Sequence, residues 1–391
     1  MPVRLFLALI VLMSPVASTS ASLAASLEIL GPMPDGVSIS GLTPLSDDGS
    51  TFTGYAQIGA YQTRAFSWSA GEGYRLLEES GVVSLRTAPA VSADGSRIAG
   101  NWVNDAYVWS AETGFERLGT LRDEDRSYAA AYGMSADGTV IVGESWGARG
   151  TEALRWDPVD GMQGLGHLGE HVFISSAVDV SADGSVIVGN DWEAASCCRS
   201  SSYWYTVPFI WDAKNGMRYL TPDAEPGQVI AISGDGSTVI GDRQGDSLMW
   251  IWDEKSGLRR IGRSLPGTVE NISPRDVSAD GALVVGRFSS DLADPGYQTD
   301  LAGSAAFVWD RESGAKSLEV LLTALGVDLG GWHLWTASGI SADGTTIVGV
   351  ARGPEGARRP FIAVIPEPST ALLVLAGLVG LAWTRSAPVE Q

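Results

Sequence analysis

Three stretches of this 391-residue sequence have the residue types and spacing of catalytic groups. His167-Leu168-Gly169-Glu170-His171 fits H-x-x-E-H, a pattern that on a helix holds zinc between two imidazoles with a carboxylate beside them. Gly164, Gly166 and Gly169 argue against a helix there, and His333 is the only other histidine, so a zinc site lacks its ligands. The same three glycines satisfy G-x-G-x-x-G, but no β-α-β unit surrounds them, as a dinucleotide site requires. Gly143-Glu144-Ser145-Trp146-Gly147 fits the nucleophile pattern G-x-S-x-G, yet no helix follows to form the sharp turn that exposes such a serine. The expectation is no catalytic residue, no metal and no cofactor. Cys197 and Cys198 are the only cysteines; a strained adjacent disulfide and a bond to another chain are both compatible with them.

The elements that must position any site come from a repeat. Ser-x-Asp-Gly followed by a second glycine five residues later occurs seven times, with its aspartates at Asp48, Asp94, Asp137, Asp183, Asp235, Asp280 and Asp343. Asp-Gly makes a tight turn because glycine accepts positive φ, and the β-branched residues after it predict a buried strand. The first six repeats continue with an apolar strand ending in Trp68, Trp109, Trp156, Trp211, Trp252 or Trp309, a glycine five residues on, and Leu or Ile four further. Each repeat therefore carries four short strands, a to d, which is the pattern of a propeller blade. The seventh repeat stops after strand c at 360–364, and an isolated strand d stands at 25–31. The fold expected is all-β, a seven-bladed β-propeller of four-stranded blades over 25–364, with Leu27 to Leu30 pairing on Phe361 to Val364 to close the last blade and remove an open edge.

The seven aspartates invite a calcium reading, but each sits alone in its own turn and no D-x-D-x-D-G loop groups them. Turn formation is the role expected. Strand-a sequences place Asp179 and Asp276 near the central channel, where a hydrolase would need its carboxylates. The formal charge of −20 excludes a nucleic-acid partner, which requires a basic face.

Both ends lie outside the repeat. Arg4, the apolar run Leu5 to Met13 and a small-residue stretch form a signal peptide over 1–24, with cleavage after Ala24 or Ala21. At the other end, Pro366-Glu367-Pro368 precedes thirteen apolar or small residues, Ala371 to Trp383, and Arg385. This tail, 365–391 with a hydrophobic helix at about 369–384, resembles a PEP-CTERM sorting signal. The resemblance implies a Gram-negative cell, processing by an exosortase-like enzyme, and passage through the inner membrane to the cell surface or extracellular matrix. That family's tails end in an arginine cluster; here Arg385 stands alone before Glu390. Thirteen residues at about 1.5 Å each span only about 20 Å of a hydrocarbon core of about 30 Å, which suits a transient anchor.

The repeats resemble two families. Ala65-Phe66-Ser67-Trp68 and Ala306-Phe307-Val308-Trp309 are similar to extracellular HAF repeats, and the run from Ser181 through Trp211-Asp212 to Gly216 resembles WD-repeat blades. The HAF similarity is the closer, since the Gly-His pair of WD repeats is found only at Gly166-His167. The Asp-Gly turn is similar to the Asp-box of sialidases, but its spacing differs and no sialidase activity is implied.

Variation in length is confined to one end of the ring. The separation of repeat Asp and Trp runs from 15 residues (Asp94 to Trp109) to 29 (Asp280 to Trp309), and variable loops on a rigid scaffold are where binding groups concentrate. The candidates are Trp192, Tyr203, Trp204 and Tyr205 in a loop expected over 190–207, with Trp332 and Trp335 after a short helix capped by Ser317. Such aromatics stack on sugar rings or anchor a partner protein; the plainer reading is that they pack down to order their own loops. The function expected is a non-enzymatic binding or structural protein meeting polysaccharide or surface proteins. The alternative is an extracellular propeller hydrolase acting on polysaccharide.

Overall fold

Each Ser-x-Asp-Gly segment folds into one turn seven times over. The serine hydroxyl donates to the aspartate at 2.6–2.7 Å. The same carboxylate accepts the N–H two residues on at 2.9–3.0 Å. The serine oxygen accepts the N–H that opens the next strand at 2.9–3.0 Å. The turn glycines have φ of 68–73°, a region that glycine enters without steric cost. The aspartates are thus occupied within their own turns, as the turn-forming role requires.

The computed structural model describes residues 24–33, 38–58, 62–77, 89–102, 104–122, 127–169, 173–198, 201–243, 248–261, 271–289 and 304–366. They form seven four-stranded antiparallel sheets. Blades 1 to 6 occupy 38–76, 90–119, 129–166, 175–219, 228–261 and 271–317. Blade 7 takes three strands from 333–364 and its outermost from Ser26–Ile29. Ser26 faces Val364 and Ile29 faces Phe361, and the Leu30 N–H donates to the Pro360 carbonyl at 2.9 Å, so the N-terminal strand latches the ring.

The second repeat glycine lies opposite a large side chain on strand c, as Gly189 lies opposite Phe209 and Gly349 opposite Phe361. A Cβ on Gly189 would sit on the Ser176 carbonyl oxygen and the Phe209 ring. Glycine is required there by close approach rather than by a turn. The described residues form seven buried apolar clusters, one between each pair of neighbouring blades. The cluster joining blades 7 and 1 packs Val348 and Val350 on Phe52, Phe66 and Trp68. A closed circuit of seven blade-to-blade backbone hydrogen bonds of 2.8–3.1 Å runs around the turn end, from Asp48 to Ala93 and on to Ala342, which donates back to Asp47.

Two expectations are corrected. Residues 190–207 are mostly not a loop: strands b and c of blade 4 lengthen to Val186–Cys198 and Ser201–Asp212, paired nearly to their tip, because the strand-favouring run Tyr203 to Val207 finds partners across the ribbon, Trp204 opposite Ala194 and Tyr203 opposite Ala195. Ser317 is the N-cap residue of helix Leu318–Ala324, but its side chain makes no capping bond. Among the described residues no helix is long and apolar enough to cross a membrane. The leader expected over 1–24 lies, but for Ala24, outside the described residues, as does the tail beyond Pro366 with its expected helix.

Candidate functional site

The innermost strands leave an axial channel of about 750 Å³. Its lining is set by β-bulges, which insert one residue into a strand and re-aim its side chain. In blades 3 to 7 the inserted residues are Tyr132, Val178, Ile230, Arg275 and Ser338, and all five line the channel. Blade 7 has a second irregularity at Trp335, which lines it too. The residue after the repeat glycine also turns inward, giving Glu144, Asn190 and Arg287.

Asp179 and Asp276 border this channel, but both are engaged. Asp179 accepts its neighbour Val180 N–H at 2.8 Å and the Ile232 N–H of the next blade at 2.9 Å. Asp276 does the same for Val277 at 2.8 Å and Ile340 at 2.9 Å. Burial outweighs these bonds and pushes the carboxyls up, Asp179 to about 6 and Asp276 to about 7.

The channel wall is polarised. On the blade 3 side the Tyr128 hydroxyl donates to Glu144 at 3.2 Å, and burial together with the Glu144 charge pushes the Tyr132 phenol up. On the blade 6 and 7 side stand Arg275, Arg287 and Trp335. Arg287 lies 5.9 Å from the Trp335 ring centre and Arg358 lies 4.7 Å from it. Burial first, then the Arg275 charge, lowers the Arg287 guanidinium.

The expected aromatic residues fall into three places. Trp192 and Trp335 are half-buried in the channel wall. Trp204 is 57% exposed on the blade 4 ribbon, with half-buried Tyr205 beside it; Tyr203 lies in the same strand. Trp332 packs against the cluster around Leu318 and Leu322 and orders its own segment. Cys197 and Cys198 reach the ribbon tip, Cys198 opposite Ser201, with their sulfurs outside the described atoms.

The other catalytic patterns dissolve into structure. Ser145 is fully buried, donates to the Tyr128 carbonyl at 2.7 Å and accepts the Leu121 N–H at 3.1 Å. His167 lies outside any helix, edge-on to Phe173, with neither ring nitrogen partnered; Glu170 and His171 lie outside the described residues. No cluster of potential metal ligands occurs among the described residues. His333 sits between Glu319 and the Ser304 carbonyl, each 2.6 Å from a ring nitrogen.

The fold and this axial site define a seven-bladed β-propeller. No protein-family model matches the chain, and no curated protein does. Among solved structures it is similar to oligogalacturonate lyase from Vibrio parahaemolyticus, at 12% identity over 88% of this chain and 98% of that one, TM-score 0.52. It is also similar to the β-propeller domain of the Trilobed protease from Pyrococcus furiosus, at 13% identity over 84% and 93%, TM-score 0.50. That domain has an open velcro topology, whereas blade 7 here is latched by the N-terminal strand. At these identities the likeness is one of fold.

Proposed function

We propose that this chain is an exported, non-enzymatic binding protein of the cell surface or extracellular matrix whose propeller meets polysaccharide at the axial channel and neighbouring ribbon. The observation that carries the reading is the channel itself, of about 750 Å³ and lined by Tyr132, Trp192 and Trp335 beside Asn190 and Gln228. Apolar rings with a few polar groups suit sugar faces and hydroxyls. The carboxylates best placed for hydrolysis, Asp179 and Asp276, are spent on joining blades. The similarity of the repeats to HAF repeats fits an extracellular site of action.

Sorting rests on the PEP-CTERM-like tail. An exosortase-like enzyme would process it near Pro366, Glu367 and Pro368 after transient association with the inner membrane. In a host with an exosortase, the full chain should reach the membrane and then be released, while a chain ending at Ile365 should fold but bypass that route. Equal distribution of the two forms rejects the sorting assignment.

The second reading, a propeller enzyme degrading polysaccharide, draws on the raised carboxyls of Asp179 and Asp276 and on the fold shared with oligogalacturonate lyase. A glycan screen of the purified protein, with new chain ends measured alongside retention, separates the two. Retention without cleavage supports binding; turnover abolished by Asp276→Asn supports the enzyme.

A further inference from the structure

The cationic side of the channel gathers two arginines and two buried donor atoms that make no hydrogen bond. Arg275 is exposed in the channel and Arg287 half-buried, and the Arg287 Nε and Trp335 Nε1 are buried without partners. Leaving buried donors unmet is unfavourable, and two guanidinium groups near one another add repulsion. Acidic neighbours relieve this only in part. The Asp276 oxygens accept from Val277 and Ile340, and Asp242, raised by burial, attracts Arg275. Such a group in a chain of net charge −20 is explained by an anionic ligand.

Its shape narrows the anion. Two neighbouring guanidinium groups suit the two oxygens of a carboxylate, which accepts paired N–H donors in one plane, with Trp335 beside them in the wall. Arg358 on the Trp335 ring at 4.7 Å helps fix the indole. Trp192 and Tyr132 line the same cavity and offer ring faces to a sugar. Resting on the polysaccharide reading above, we propose that Arg275, Arg287 and Trp335 form a carboxylate subsite, and that the ligand is an acidic polysaccharide of uronic-acid type.

The test is calorimetric titration of the purified full chain with a galacturonate hexamer and with its methyl ester, which keeps the rings and removes the charge. The acid should bind at least about tenfold more tightly than the ester and lose affinity as salt is raised. Arg275→Gln and Arg287→Gln should each weaken acid binding by about tenfold to a hundredfold. Trp335→Phe should weaken it less, and Arg117→Gln, on the outer strand of blade 2, should not. If Arg287→Gln melts early, Arg287→Lys and Arg275→Gln carry the test. Equal binding of acid and ester, or unchanged binding by stably folded arginine variants, overturns the subsite while the polysaccharide reading stands. If neither hexamer binds but another glycan does, the subsite alone falls. If no glycan binds, both fall.

Discussion

The turn end of the ring and the channel wall obey opposite rules. At the turn end seven segments repeat one hydrogen-bonding scheme, and their carboxylates are accepted into it; hydrogen bonds hold six of them, Asp48, Asp94, Asp137, Asp183, Asp235 and Asp343, below the usual carboxylate range. In the channel the bulge position of blades 3 to 7 carries five different side chains, carboxyls rise, and donors stand unpartnered. Uniformity secures closure of the ring. Variation is confined to where a ligand would lie.

The comparison is broken most severely by opening the ring. Deleting Ser26 to Leu30 removes buried Leu30 and the covering strand of blade 7, and should cost at least about 3 kcal/mol, read as a lowered denaturant midpoint and an exposed strand edge that promotes aggregation. Next comes Gly189→Ala, whose Cβ has no room; overpacking of this kind costs about 1–3 kcal/mol. Asp183→Ala should cost less, about 1 kcal/mol for an exposed turn. Its deficit should shrink in acid, because a depressed carboxyl stabilises above its unfolded pKa and loses that contribution as pH falls through the folded value.

The smallest effect sharpens the contrast. Carboxyl ¹³C titration should find Asp179 near 6 and Asp276 near 7, with Asp137 and Asp183 lowered from the ordinary carboxylate value by their hydrogen bonds. The sign for the channel pair is opposite: raised carboxyls favour the folded state when protonated, so their contribution to stability declines as pH rises from about 4 to about 7. A pair titrating with the turn aspartates would erase the distinction.

The ring was readable from residues whose backbone demands are strict. Gly49 and its counterparts must enter positive φ, Gly189 and its counterparts must admit a ring, and blade 7 lacked an outer strand that 26–29 could supply. The channel was not readable in the same way. Alternation along a strand assigns faces only while the register holds, and the bulges at Arg275 and Trp335 shift it. Arg287 directly follows a repeat glycine, where the other blades carry Tyr55, Asn101, Glu144, Asn190, Asp242 and Val350. Its signal was a charged residue at a fixed repeat offset inside an otherwise apolar strand. Trp335 reads in the sequence as a loop aromatic, yet it lies within strand His333–Ile340.

The latch at Ser26–Ile29 also sets an order of events. Its partner strand, Arg358–Val364, is nearly the last part of the ring to be synthesised, although the latch is the first. The contact of longest sequence separation in the ring therefore forms only after all seven blades have been synthesised, and bringing such distant segments together is slow. Six blades can zip locally while the seventh waits. The same contact then acts in reverse as a clasp on unfolding: a protease or a pulling force at either end meets the paired edge before it reaches any blade, so persistence of the native ring should be governed by the rate at which this one strand lets go.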